Sequence, residues 1–340
     1  MNPALLPRAL TGAFLAVVIA ILPARAQTAL DKVSFGTNWV PEAEHGGFFQ
    51  ALADGTYRKY GLDVTIVPGG PNDNNRMLLI AGKLDFFMAA NTLMALDAVA
   101  NNVPVVTVAA IFQKDPQVFL THPESKVTKL EDLKPLTLFV SKEGISSYFQ
   151  WLKSEYGFSE EKVRPYTFNP QPFLANKQSA MQGYVTSEPF AVEKSAGFKP
   201  GIVLLADYGF NTYSTLIETR RELIDKKPDL VQRFVDASIT GWYNYLYGDN
   251  TAANALIRKL NPEMTDELLA YSLNKMREYG IVDSGDTSRD GIGAMTDARA
   301  ASFFDKMVRA GVVRPDVDFR KAYTLRFVNK GVGLDLRPKN

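Results

Sequence analysis

Through the first two-thirds of this chain, apolar runs of strand length alternate with segments whose apolar residues recur at helical spacing. No other feature restricts the fold as much. Runs at 33–38, 62–67, 84–89 and 104–112 read as strands. Between them lie helix-period stretches. After Glu42, the residues Phe48, Phe49, Leu52, Ala53, Tyr57 and Tyr60 recur at helical spacing before a stop at Gly61, and further helices are predicted at 74–81 and from Thr92. A βαβα succession requires crossover helices, so it implies a parallel sheet covered by helices.

A second unit of the same kind follows "KDPQ". Strands are expected at 136–141, 163–168, 181–186 and 202–208, with 213–219 as a continuation of the last. Ile145, Phe149, Leu152 and Tyr156 form a helical stripe that ends at Gly157, and a proline-bounded helix is expected ahead of 181. From Arg221 onward the pattern is almost wholly helical, most clearly at 229–247, 265–279 and 296–310. The fold class is therefore α/β, with two parallel-rich sheets and a helical C-terminal part. "GIGAM" and "GVGLDL" do not sit between a strand and a helix as a dinucleotide fingerprint requires, and no P-loop is present.

The N-terminal residues read as an export signal. Arg8 precedes an apolar run over 10–23, and Ala24-Arg25-Ala26 supplies a small-x-small cleavage site. The run is shorter than the ~20 residues of a comfortable membrane span; an uncleaved anchor is the alternative. Cleavage near Ala26 would leave a mature chain from Gln27, placed in a bacterial periplasm, and no cysteine follows the run to carry a lipid. The chain has no cysteine at all, so it must be stable by core burial alone. Cysteine nucleophiles and thiolate metal sites are excluded with it. With only two histidines, a histidine-rich metal site is not expected either. The 38 basic and 37 acidic side chains nearly balance, which argues against a nucleic-acid or anionic-membrane partner.

Ligands of open α/β sheets bind beyond the carboxyl ends of the strands. Those ends read "TNWVPE", "PGGPND", "AANT", "FQKDP", "SKEGISS" and "TSEP". They offer amides, hydroxyls and aromatics but no nucleophile–base pair, so no catalytic residue is assigned. Asn38 and Trp39 follow the first strand. Trp39 is either a core ring or, better suited to its place before a proline, one wall of a cleft. His45 is a ligand contact, a helix-start residue or a general base, and the last lacks a nucleophile to serve. Glu42 and Glu44 suit the positive end of the following helix as well as they suit chemistry. Asn91 and Thr92, like Ser146 and Ser147, are favoured helix caps whose free groups could equally grip an oxygen. Glu188 ends a strand before Pro189, where an acceptor-only carboxylate suits a ligand with adjacent N–H donors, such as an aminopyrimidine. Tyr184 on the same segment could supply a second face. "GWYNYLY" (241–247) reads as helix packing.

The stretches "NWVPEAEHGGFFQALADGTYRKYGLDV", "AGKLDF" and "GYVTSEPF" resemble the bacterial ABC-transporter solute-binding proteins of the thiamine-pyrimidine-precursor type, relatives of the nitrate, sulfonate and taurine binders. The resemblance runs over approximately 33–307. It implies a type II periplasmic-binding fold: 27–116 with 211–340 as one lobe, 117–210 as an inserted lobe, and hinge crossings near 115–117 and 209–213. It also implies a monomer that captures a small solute for a permease and its ATPase, with an aromatic wall and a carboxylate matching Trp39, Tyr184 and Glu188. A pyrimidine thiamine precursor is the expected solute; riboflavin, an aromatic carboxylate or a sulfonate are the alternatives, since "PEAEH" replaces a segment that is amide- and hydroxyl-rich in the pyrimidine binders. A thiamine-pyrimidine synthase shares the N-W-x-P-x-x-x-H segment, but its resemblance brings a pyridoxal-phosphate lysine and a histidine after G-K-x-D and a cysteine-rich loop. Here "GKLDFFMAANTLMAL" has neither, so no cofactor is expected.

Overall fold

The structure is a computed structural model that describes Met1, residues 29–70 and residues 74–338. The expected export signal at 1–26 lies outside the described residues apart from Met1. Among the described residues ten strands form two five-stranded sheets. The first contains β1 (Asp31–Gly36), β2 (Leu62–Val67), β3 (Phe86–Asn91), β4 (Val105–Phe112) and β10 (Ser214–Arg220), in the order β2-β1-β3-β10-β4. The second contains β5 (Gln117–Thr121), β6 (Thr137–Val140), β7 (Val163–Pro165), β8 (Ser179–Tyr184) and β9 (Gly201–Leu204), in the order β7-β6-β8-β5-β9.

Both sheets are mixed by the same device. β1 runs parallel to β2 and β3, and β6 parallel to β7 and β8. β10 is antiparallel to β3 and β4, and β5 antiparallel to β8 and β9. β5 and β10 are the strands the chain enters directly after passing from one sheet to the other. They start at the edge where the parallel strands end, so they must run the opposite way. Two expectations are corrected here. Residues 214–220 are not a continuation of 201–204 but a central strand of the first sheet, and β5 was not foreseen. A five-residue strand directly after a turn leaves too short an apolar run to be told from loop.

The helix Gly46–Ala53 lies against the twenty-residue helix Pro228–Tyr247, and glycines set the approach. A Cβ on Gly47 would sit 2.1 Å from the Trp242 ring, and one on Gly241 would sit 2.4 Å from the Gly47 carbonyl. Trp242, Tyr243, Tyr245 and Leu246 are buried, so the aromatic run 241–247 is helix packing. The helix Asp297–Arg309 reaches the layer over the second sheet, where Phe303 and Met307 pack in one core with Phe119, Trp151 and Phe210.

Candidate functional site

The turn after β1 is held from both sides. The Thr37 hydroxyl donates to the Trp39 carbonyl (2.8 Å) and accepts from Gly69 N–H (3.0 Å), which also donates to that carbonyl. Trp39 is thereby turned out of the core and remains half-buried. A short turn, Ala43–His45, then runs into the helix Gly46–Ala53, and the glycine contact with Trp242 locks its start. Glu44 and His45 are left 4% and 1% exposed.

Across from them, Glu188 opens the helix Glu188–Ala196 and folds back on β8. Its Oε2 accepts from Tyr184 N–H (2.7 Å) and from the Ser187 hydroxyl (2.6 Å). Gly183 permits this, since a Cβ there would lie 2.8 Å from the Glu188 Cβ. Gln182 Oε1 accepts from Ser141 N–H (2.5 Å) and the Tyr148 hydroxyl (2.8 Å), and Ser141 Oγ caps the next helix through Gly144 N–H.

Between these groups lies a cavity of about 340 Å³, within the range of small-molecule sites. It opens where β1, β3, β4, β6 and β8 end and where β5 and β10 begin. Of the residues singled out from sequence, Asn38, Trp39, His45, Asn91, Tyr184 and Glu188 line it. Thr92 does not: its hydroxyl donates to the Tyr213 carbonyl and it faces a separate void of about 20 Å³. Ser146 does not either; its hydroxyl turns back to the Glu143 carbonyl (3.1 Å), and Ser147 lines the cavity instead. Sequence reasoning left out Asp115, Gln117, Ser141, Tyr148, Phe168 and Gln182. Asp115 and Ser141 stood in strand-end segments already singled out. Nothing local marked Phe168, a 57% exposed residue at φ 63° whose ring stands 5.7 Å from Trp39 across the mouth.

The electrostatics are one-sided. Glu42, Glu44, Asp115, Glu143 and Glu188 line the cavity, and among the described residues no lysine or arginine does. Burial, then the Glu44 and Glu188 charges, push Glu42 well above the usual carboxylate range. Burial raises Glu44, partly offset by the Thr186 hydroxyl. Neither Glu44 Oε1 nor Thr186 Oγ1 makes a hydrogen bond, so that hydroxyl acts as a neighbouring dipole. Burial raises Asp115 to about 6, against the bond from Gln117 N–H (3.0 Å). His45 is lowered to about 3 by burial and is neutral, with both ring nitrogens unpartnered. Among the described residues no group of three or more His, Asp or Glu side chains is placed to hold a metal ion. The walls can stack a flat ring, accept several hydrogen bonds from N–H donors, and exchange one donor and one acceptor through His45.

Two mixed sheets with a cavity between their strand ends are the architecture of periplasmic binding proteins. The fold matches the periplasmic aliphatic sulphonate binding protein SsuA from Escherichia coli with a TM-score of 0.65 at 14% identity, over 86% of this chain and 91% of that one. Residues 42–252 match the family described as NMT1/THI5 like, and the chain belongs to that family. It is 24% identical over 314 residues to the riboflavin-binding protein RibY of Chloroflexus aurantiacus, covering 90% of this chain and 88% of that protein. It is also 24% identical over 263 residues to the formylaminopyrimidine-binding protein of Halalkalibacterium halodurans, covering 73% and 78%.

Proposed function

We propose that this protein is the periplasmic solute-binding component of an ABC importer and that it captures a small, flat, donor-rich heteroaromatic solute, an aminopyrimidine precursor of thiamine before a flavin. The observation that carries this reading is the lining of the cavity: aromatic rings, five carboxylates and a neutral histidine and, among the described residues, no lysine or arginine. A sulfonate or aromatic carboxylate would enter a buried field of its own sign, which costs several kcal/mol per unpaired charge. A flavin ring presents one N–H donor among several carbonyl and ring-nitrogen acceptors, whereas an aminopyrimidine presents an amino group with two N–H donors on a ring with fewer acceptors.

In this reading Asn38, Trp39, His45, Asn91, Tyr184 and Glu188 contact the solute, together with Glu44. The two sheets with their helices are the two lobes, hinged at 115–117 and 209–213. The 1–26 segment directs export, and the mature monomer delivers to a permease and its ATPase. A synthase reading would need a lysine to hold pyridoxal phosphate, and among the described residues none lines the cavity. Titration calorimetry with 4-amino-5-hydroxymethyl-2-methylpyrimidine, riboflavin, benzoate and an alkanesulfonate tests the reading. Tight binding of the pyrimidine alone is expected; a sulfonate or riboflavin binding more tightly would replace it.

A further inference from the structure

Five carboxylates around one cavity are an unusual burden for a site meant for a neutral ring. Glu44 and Asp115 line the cavity and are almost wholly buried, and Glu44 Oε1 makes no hydrogen bond within the protein. Glu42, Glu188, Tyr184 and Tyr245 are the titratable groups that act on Glu44, beside the Thr186 hydroxyl, and His45, Asp115, Glu143 and Tyr148 line the same cavity. None of them carries a positive charge, since burial keeps His45 neutral. An unpartnered, buried carboxylate among others is costly, and a positive group is what would neutralise it.

A neutral aminopyrimidine meets this wall badly. Its amino group donates, but its ring nitrogens are acceptors and would face carboxylate oxygens. Adding a proton to a ring nitrogen turns that acceptor into a donor and gives the ring a positive charge, so that both edges become charge-assisted donors.

We propose that the cavity takes its solute as a cation: a flat ring carrying a protonated nitrogen beside or opposite an amino group, with Glu44 as the direct acceptor and Glu42 and Asp115 as counter-charges. This rests on the aminopyrimidine reading above and adds the charge state. The proton on the ring nitrogen comes from solvent or from a carboxyl that burial keeps protonated in the empty cavity; no covalent bond changes. Affinity then has an optimum in pH. Above the ring's own pKa the solute must first be protonated, which weakens binding about tenfold per pH unit. At lower pH the carboxylates themselves take up protons, Asp115 near 6, and the negative wall is lost.

An isosteric charge series measures this on the intact mature protein: benzamidine as cation, benzamide as neutral amide and benzoate as anion, by calorimetry at pH 7. Benzamidine is expected to bind at least about tenfold more tightly than benzamide, and benzoate not to bind. In Glu44→Gln both ligands should bind more weakly, and benzamidine should lose severalfold more affinity than benzamide, so that its advantage shrinks. Calorimetry of 4-amino-5-hydroxymethyl-2-methylpyrimidine from pH 5 to 9 gives the second measurement, with a maximum expected and a decline above the ring's pKa. Benzamide equalling benzamidine, or pyrimidine affinity that stays level or rises toward pH 9, overturns the cation proposal. If the pyrimidine binds tightly under that outcome, the proposed function survives it. If neither the pyrimidine nor benzamidine binds, both fall.

Discussion

The two walls of the cavity handle their polar groups in opposite ways. On the second sheet's side, Glu188, Gln182 and Ser141 are engaged with the protein itself: Glu188 with Tyr184 and Ser187, Gln182 with Ser141 and Tyr148, Ser141 with Gly144. On the first sheet's side, Asn38 Oδ1, Glu44 Oε1 and both nitrogens of His45 are buried with no partner. An orphaned buried polar atom costs about 1–3 kcal/mol, and native structures keep few of them. The second side is thus largely bonded within itself, with the Thr186 hydroxyl after β8 as an exception, and the first side holds more of the open groups that, in the proposed reading, a solute completes. In the proposed reading Glu188, the carboxylate most readily picked from sequence, then matters more for shape, and Glu44 more for affinity.

Replacing Trp39 sharpens this difference most. A buried aromatic anchor contributes at least about 2 kcal/mol to binding, so Trp39→Ala should weaken pyrimidine affinity some thirtyfold or more. Phe168→Ala, on the opposite rim and largely exposed, should cost less than about fivefold. Calorimetry giving equal losses for the two would make the walls equivalent.

Glu44→Gln comes next. Removing a charge-assisted acceptor should cost about 1.5–3 kcal/mol of affinity, with no loss of Tm in the empty protein. A fall in Tm with affinity retained would assign Glu44 to structure.

Asp115→Asn should stabilise the empty protein. Its folded-state pKa of about 6 lies above the ordinary 3.8, so the native state holds the proton more tightly than the unfolded chain does. Stability is then lost as pH rises from about 4 through 6, and the neutral amide avoids that loss. Thermal unfolding should show a gain of roughly 1–2 kcal/mol at pH 7.5 that vanishes near pH 4. The same gain at both pH values would refute the titration as its cause.

The smallest effect is expected for Glu188→Gln. The glutamine oxygen can still accept from Tyr184 and Ser187, so about 1 kcal/mol of stability goes with the lost charge, and pyrimidine affinity should change less than tenfold. A hundredfold loss at unchanged Tm would move the decisive carboxylate from the first wall to the second.

Much of this arrangement is legible in the chain. The strand Leu62–Val67 and the helix Pro228–Tyr247 follow from local periodicity, because a period of two or of 3.6 is a property of consecutive residues. That Trp39, His45, Tyr184 and Glu188 line the cavity is legible because cavities of α/β sheets form at strand ends, and strand ends can be read. Thr92 and Ser146 satisfied the same rule and yet point elsewhere, because a single residue's rotation about a helix decides which way its hydroxyl turns. The direction and sheet of β10 depended on where the chain crossed, which no local pattern records. Which carboxylate is spent on the fold and which is left open was likewise a tertiary decision. Glu188 has Tyr184 and Ser187 close in sequence to bond, whereas the isolation of Glu44 results from helix packing at Trp242 and from strands up to 170 or so residues away in the chain, brought to the same cavity.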